Sequence, residues 1–233
     1  MKKLLPVLAG LLLLALPLVA QDPVKVDSKQ AATMGREPYL RWNAKQAEKL
    51  GISTYAKGKV KGGGGRGLLQ TDRAKNYKLR ATWMTPDVIR ASARIIQLRE
   101  GLTDAETRAL VEEAESIEGT VVMVELEADE GSGVIPSSWI AFLHAKGTEP
   151  GSDRSVGGVK QGLRKVRVLA GVRRRKYAYT RFWIVFPFVT RKGGPLFPAM
   201  AREAEIVVRI YKQEGRARWR IPDSIREKVA ASF

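Results

Sequence analysis

After Gly119 the apolar residues adopt a period of two and hold it over most of the remaining chain. Side chains two apart share a face only in an extended strand, so this pattern commits the C-terminal half to β-sheet. TVVMVELEAD puts Val122, Val124 and Leu126 on one face, SSWIAFLHA supplies a second strand, and KVRVLAGV a third with Val166 and Val168 inward and Lys165 and Arg167 outward. AEIVVRIYK and RARWRI flank Gln213-Glu214-Gly215, which reads as a hairpin turn. In the last strand Ala217, Trp219 and Ile221 face in, while Arg216, Arg218 and Arg220 face out. From Tyr177 to Phe188 both alternating faces are largely apolar, which predicts a central strand covered on both sides. Its aromatics are then buried, whereas a nucleic-acid stacking platform needs them exposed. Arg173, Arg174, Arg175 and Lys176 form the basic turn before it.

Helical signals precede the strands. Asn43 to Leu50 reads as a short helix with Asn43 as cap and Gly51 as stop. Thr85-Pro86 opens a second helix, with Val88, Ala91, Ile95 and Leu98 on one face and Gly101 at its end. Thr103 and Glu106 form a capping box for a third, whose buried face is Leu110, Val111, Ala114 and Ile117. The short connection predicts an antiparallel hairpin over 86–117. A closing helix is expected from Asp223 to Ala231. The expected fold is α+β: an N-terminal helical hairpin packed with a mainly antiparallel, sandwich-like sheet body over 79–233, preceded by a loosely ordered basic arm over 21–78.

The first twenty residues have the plan of a secretory signal peptide: Lys2 and Lys3, an apolar run from Leu4 to Leu16, Pro17, and the small residue Ala20 at the expected cut. Retained, the same run would be a membrane anchor at the lower limit of length. The mature chain is therefore expected outside the cytoplasm, periplasmic or secreted, with no later transmembrane span. Disulfides persist in such compartments, yet the chain has no cysteine, so a packed core must stabilise it.

Charge narrows the partners. Lys and Arg number 41 against 24 Asp and Glu, a formal +17. The excess is uneven: residues 85–135 hold twelve acidic and four basic side chains, so the surplus lies on either side of them. A surplus of this size attracts anions over long range. Outside the cytoplasm those anions are envelope polymers and lipid head groups, and nucleic acid is not expected. The candidate contacts are the turn Arg173–Lys176, the stripe Arg216, Arg218 and Arg220, and the Gly-rich stretch KGKVKGGGGRG with Lys57, Lys59, Lys61 and Arg66. That stretch lacks the Lys-Ser/Thr that a phosphate-binding Walker loop carries after its last glycine.

Most catalytic sets are excluded by composition. A single histidine, His144, and no cysteine rule out the usual zinc sites within one chain and any cysteine nucleophile. His144 lies in an apolar strand and reads as a hydrogen-bonded structural residue. No G-x-S-x-G elbow or S-x-x-K pair occurs, and neither a metal nor a cofactor is expected. Glu125, Glu127 and Asp129 alternate along one strand face, the arrangement from which a carbohydrate-active hydrolase would draw its carboxylates. They also suit a solvated face, or one paired with arginines of a neighbouring strand. Any such site is expected where the loop from Asp129 to Ser138 meets Trp139 and His144. The leading expectation is a non-catalytic envelope binding module for an anionic polymer, an anionic lipid surface or a partner protein. The alternatives are the hydrolase and a structural scaffold of an envelope assembly.

Overall fold

A computed structural model describes residues 37–61, 76–128, 135, 138–172 and 180–233. Their helices and antiparallel sheets establish the α+β class. One sheet has five strands in the order β1 (Tyr55–Val60), β2 (Tyr77–Met84), β3 (Thr120–Ala128), β7 (Thr180–Phe186) and β6 (Val159–Gln161). The other has four: β5 (Val156–Gly157), β4 (Ile140–Ala145), β8 (Glu203–Ile210) and β9 (Gln213–Arg220). All the pairings are antiparallel.

The two sheets share one core. Leu79, Trp83, Val124 and Ile184 from the first meet Leu143, Ile206, Ala217 and Trp219 from the second. Trp83 is fully buried, with its ring centroid 5.7 Å from Phe197 and 5.6 Å from Trp219. Its indole N–H donates to Thr120 Oγ1 at 2.7 Å, so the large ring enters the core with its one polar atom satisfied.

Helices cover the outer face of the five-stranded sheet. α1 (Ala44–Ile52) packs on α2 (Pro86–Glu100), which with α3 (Asp104–Glu115) lies on the sheet, while α4 (Asp223–Ala230) sends Ile225 and Val229 into the shared core. Val88, Ile89 and Ile96 of α2 and Val111 and Ala114 of α3 pack on Val121, Met123, Trp183 and Val185 of β3 and β7. Alternation explains how one strand serves two cores: Ile184 and Phe186 point into the sheet-to-sheet layer, Trp183 and Val185 into the helical one. Thr103 and Glu106 form a reciprocal capping box that starts α3, and Gly101 in the left-handed conformation ends α2.

Several sequence expectations are corrected. The helix pair is not N-terminal to the sheet, because β1 and β2 precede it. Residues 38–60, assigned to a loose arm, form a 3-10 turn (Pro38–Arg41), α1 and β1. The segment KVRVLAGV is not a strand but two 3-10 turns, Leu163–Lys165 and Arg167–Ala170. Consecutive Val168 and Leu169 are both buried, which a tight turn allows and a two-faced strand edge does not. The Leu169 carbonyl also accepts the Trp183 indole N–H at 3.0 Å.

Two glycines read as breaks are points of close approach instead. Gly51 lies inside α1, where a Cβ would stand 2.3 Å from Val172 Cγ1. Gly215 lies inside β9, where a Cβ would stand 2.6 Å from Val60 Cγ2. The β8–β9 turn is therefore Tyr211-Lys212, with Tyr211 at φ 54°.

Candidate functional site

The outer face of the four-stranded sheet carries no helix among the described residues; it carries charge. Register sets His144 of β4 opposite Glu205 of β8, and Glu205 opposite Arg218 of β9. Glu205 is almost fully buried, yet each of its oxygens has a guanidinium partner: Oε2 accepts from Arg216 at 2.8 Å and Oε1 from Arg218 at 2.5 Å. Arg216 also reaches Glu214 at 3.1 Å, and Glu214 accepts from Arg209 at 2.5 Å. The result is an alternating ladder, Arg209–Glu214–Arg216–Glu205–Arg218, across two strands. The hydrogen bond from Arg209 holds the Glu214 carboxyl below its usual range, with Arg216 adding to the effect.

The ladder runs short of carboxylates at its end. Arg220 stands opposite Glu203 in the register, but Glu203 is taken by Lys146 at 2.5 Å. That contact also holds the Glu203 carboxyl below its usual range. Arg220 faces a cleft of about 1090 Å³ instead. Lys146, Arg202, Arg220 and Arg226 supply four basic groups to its lining, against Glu203 and Asp223. Arg226 is anchored, donating to the carbonyls of Ala199 and Ala201 at 3.3 and 2.6 Å. Arg202 and Arg220 make no ion pair or side-chain hydrogen bond among the described residues. On its other side Arg220 also borders a hollow of about 420 Å³ beside Ser53 to Tyr55.

Of the basic residues singled out in sequence, two groups are brought onto adjoining strands. Lys57 and Lys59 are exposed on β1, and Lys61 follows with a single bridge to Glu214 of β9. The stripe Arg216, Arg218 and Arg220 projects outward from β9, but its first two members are committed to Glu205 and Glu214. Arg66 and Arg173 to Lys176 lie outside the described residues, as does Asp129. Lys146, Arg202 and Arg226 were not singled out, because the cleft joins three segments distant in the chain.

Of the strand carboxylates, Glu125 and Glu127 are described, and both face basic side chains. Glu125 is fully buried on β3 with Arg80 opposite on β2 and Arg181 opposite on β7. Arg181 approaches it at 3.3 Å. The adjoining cavity measures about 20 Å³, room for about one water and not for a sugar ring. Glu127 pairs with Lys78 at 3.7 Å.

Trp139 and His144 do not meet. Trp139 turns into the shared core, edge-on to Phe182 at 4.8 Å and with Lys160 Nζ 4.1 Å above its ring. His144 points to the other face of its sheet. Its Nδ1 donates to the Ala145 carbonyl at 2.9 Å, and its Nε2 lies 4.0 Å from Glu205.

Among the described residues no three His, Asp or Glu side chains converge as a metal site, and no helix is long and apolar enough to cross a membrane. No protein-family description matches the chain, and neither curated proteins nor solved structures show a significant match.

Proposed function

We propose that this chain is an exported cell-envelope protein that acts as a non-catalytic binding module. Its ligand is an anionic envelope polymer, an anionic lipid surface or an acidic partner, taken up at the cleft beneath Arg202 and Arg220. One observation carries this reading. Every arginine of the charge ladder has a carboxylate partner, whereas Arg202 and Arg220, just outside it, have none among the described residues and border the same open cleft. An exposed guanidinium without a carboxylate is a donor fork still open to an incoming oxyanion. The overall surplus of +17 adds long-range attraction. Export rests on the pattern of residues 1–20, and it selects envelope anions over nucleic acid.

The test is co-sedimentation of the full-length chain with purified cell-wall sacculi and with anionic and neutral vesicles, from low to high salt. Binding should be strong at low salt, fall steeply as the Debye length shortens, and drop further in Arg220→Glu. Equal retention at high salt, or binding indifferent to Arg220→Glu, would overturn the assignment. The apolar N-terminal run can itself hold vesicles, so the difference between wild type and variant is the deciding quantity.

A further inference from the structure

We infer that His144 is a proton-operated lock on the outer face of the four-stranded sheet: neutral, it leaves Glu205 to the arginines, and protonated, it takes the carboxylate and releases Arg216. His144 is the chain's one histidine, and it has no solvent exposure. Its Nδ1–H is spent on the Ala145 carbonyl, so in the neutral ring Nε2 carries only a lone pair. Nε2 has no hydrogen-bond partner, and it stands 4.0 Å from Glu205 Oε2. Acceptor faces acceptor, an unfavourable arrangement for buried groups. A proton taken up from water at Nε2 turns the same contact into a charged donor facing a carboxylate.

Charge then decides which cation stays. Oε2 already accepts from Arg216 at 2.8 Å and Oε1 from Arg218 at 2.5 Å, so an imidazolium brings a third cation to one carboxylate. Oε2 has lone pairs for both of its donors, but the three like charges repel one another. The buried imidazolium has no water to turn to, whereas the side chains of Arg216 and Arg218 are 43% and 56% exposed. Arg216 shares the contested oxygen and has Glu214 at 3.1 Å to fall back on, so it is the one released. The other charged groups around His144 supply no rival partner. Lys146 and Glu203 hold each other, Asp153 is held by Lys192, and Glu149 and Arg154 are exposed on the loop before β5. Release opens the Arg216 fork near Lys57 and Lys59, which are exposed on the strand that lies against β9 at this point. The lock stands without the anion-binding reading above; its effect on ligand uptake rests on that reading.

The experiment follows the full-length chain by NMR from about pH 8 to about pH 5, the interval in which imidazoles ordinarily titrate. One histidine gives one imidazole C2–H signal, and Arg216→Lys assigns the Arg216 Nε–H signal. Both signals should move along one curve with the fold intact, and the arginine movement should vanish in His144→Gln. An imidazole that titrates while Arg216 stays put overturns the lock, as does one that stays neutral until the chain unfolds. Arginine movement that persists in His144→Gln belongs to a carboxylate and overturns it too. If His144→Gln does not fold, the two wild-type midpoints decide: coincidence supports the lock and separation overturns it. Dextran sulfate, whose charge is constant over this interval, reads the consequence at fixed salt. On acidification its affinity for wild type should rise about two- to fivefold more than for His144→Gln, the worth of one exposed ion pair. Coupled NMR shifts without that rise keep the lock and overturn its link to ligand uptake. No binding of dextran sulfate at any pH overturns the anion-binding reading, and the NMR curves still decide the lock.

Discussion

The two sheets present opposite outer faces. On the five-stranded sheet Val121, Met123, Trp183 and Val185 lie under helices, and the face is a second core. On the four-stranded sheet the corresponding positions of β8 and β9 are Glu205, Arg209, Arg216 and Arg218, and long side chains do the covering. Both faces hold a buried glutamate. Glu205 is gripped at 2.5 and 2.8 Å by two guanidinium groups, while Arg181 stands 3.3 Å from Glu125. The lesson is that a sheet can bury a charge on an open face if its neighbours reach across the strands, and any arginine beyond the last carboxylate is left to solvent or ligand.

The sharpest way to break this contrast is to truncate one residue on each face. Trp183→Ala should cost about 3–5 kcal/mol, because it opens a cavity under the helices. Arg218→Ala should cost less, about 1–3 kcal/mol, because it leaves one oxygen of the buried Glu205 carboxylate without its guanidinium. Comparable losses in urea denaturation would mean the open face is as structural as the covered one. Next in size is Glu205→Gln, expected to lose about 1–3 kcal/mol by weakening two charged hydrogen bonds. An unchanged denaturation midpoint would show that the grip does not depend on the carboxylate charge.

A smaller effect of opposite sign is expected at the β8–β9 turn. Tyr211 sits at φ 54°, so Tyr211→Gly should stabilise by about 1 kcal/mol, read as a rise in the denaturation midpoint. The smallest effect is in acid. Glu214 titrates lower in the folded chain, so its contribution is present above the unfolded carboxylate pKa and disappears as pH falls through the folded one. Glu214→Gln should therefore be less stable than wild type near neutrality and converge with it in acid. A constant gap across pH would remove the ladder from the account.

What the sequence made legible was local. The Thr103–Glu106 box and the Asn43 cap span three residues, and both form as read. The alternation of β3 and β9 likewise fixes which residues face inward. What stayed hidden needed pairing partners. Glu205 looks like any strand glutamate until register sets it between His144 and Arg218. Arg202 and Arg226 look like scattered surface charge until the end of β9 and the start of α4 bring them to one cleft. Glycine misled for the same reason: at 51 and 215 it answers a neighbour distant in sequence, not a bend.

The contact between β1 and β9 has a consequence in time. β1 lies against β9, with a Cβ on Gly58 falling 2.2 Å from the Arg216 carbonyl oxygen and Gly215 meeting Val60. The first strand thus waits for the last. Until the segment carrying β9 has emerged, β1 has only β2 beside it, and the core that Val60 belongs to stays open along one side. Long-range closure of this kind is slow, and it exposes apolar surface to neighbouring molecules meanwhile. The lysines that alternate along β1 keep that waiting edge charged, a known guard against edge-to-edge pairing between chains.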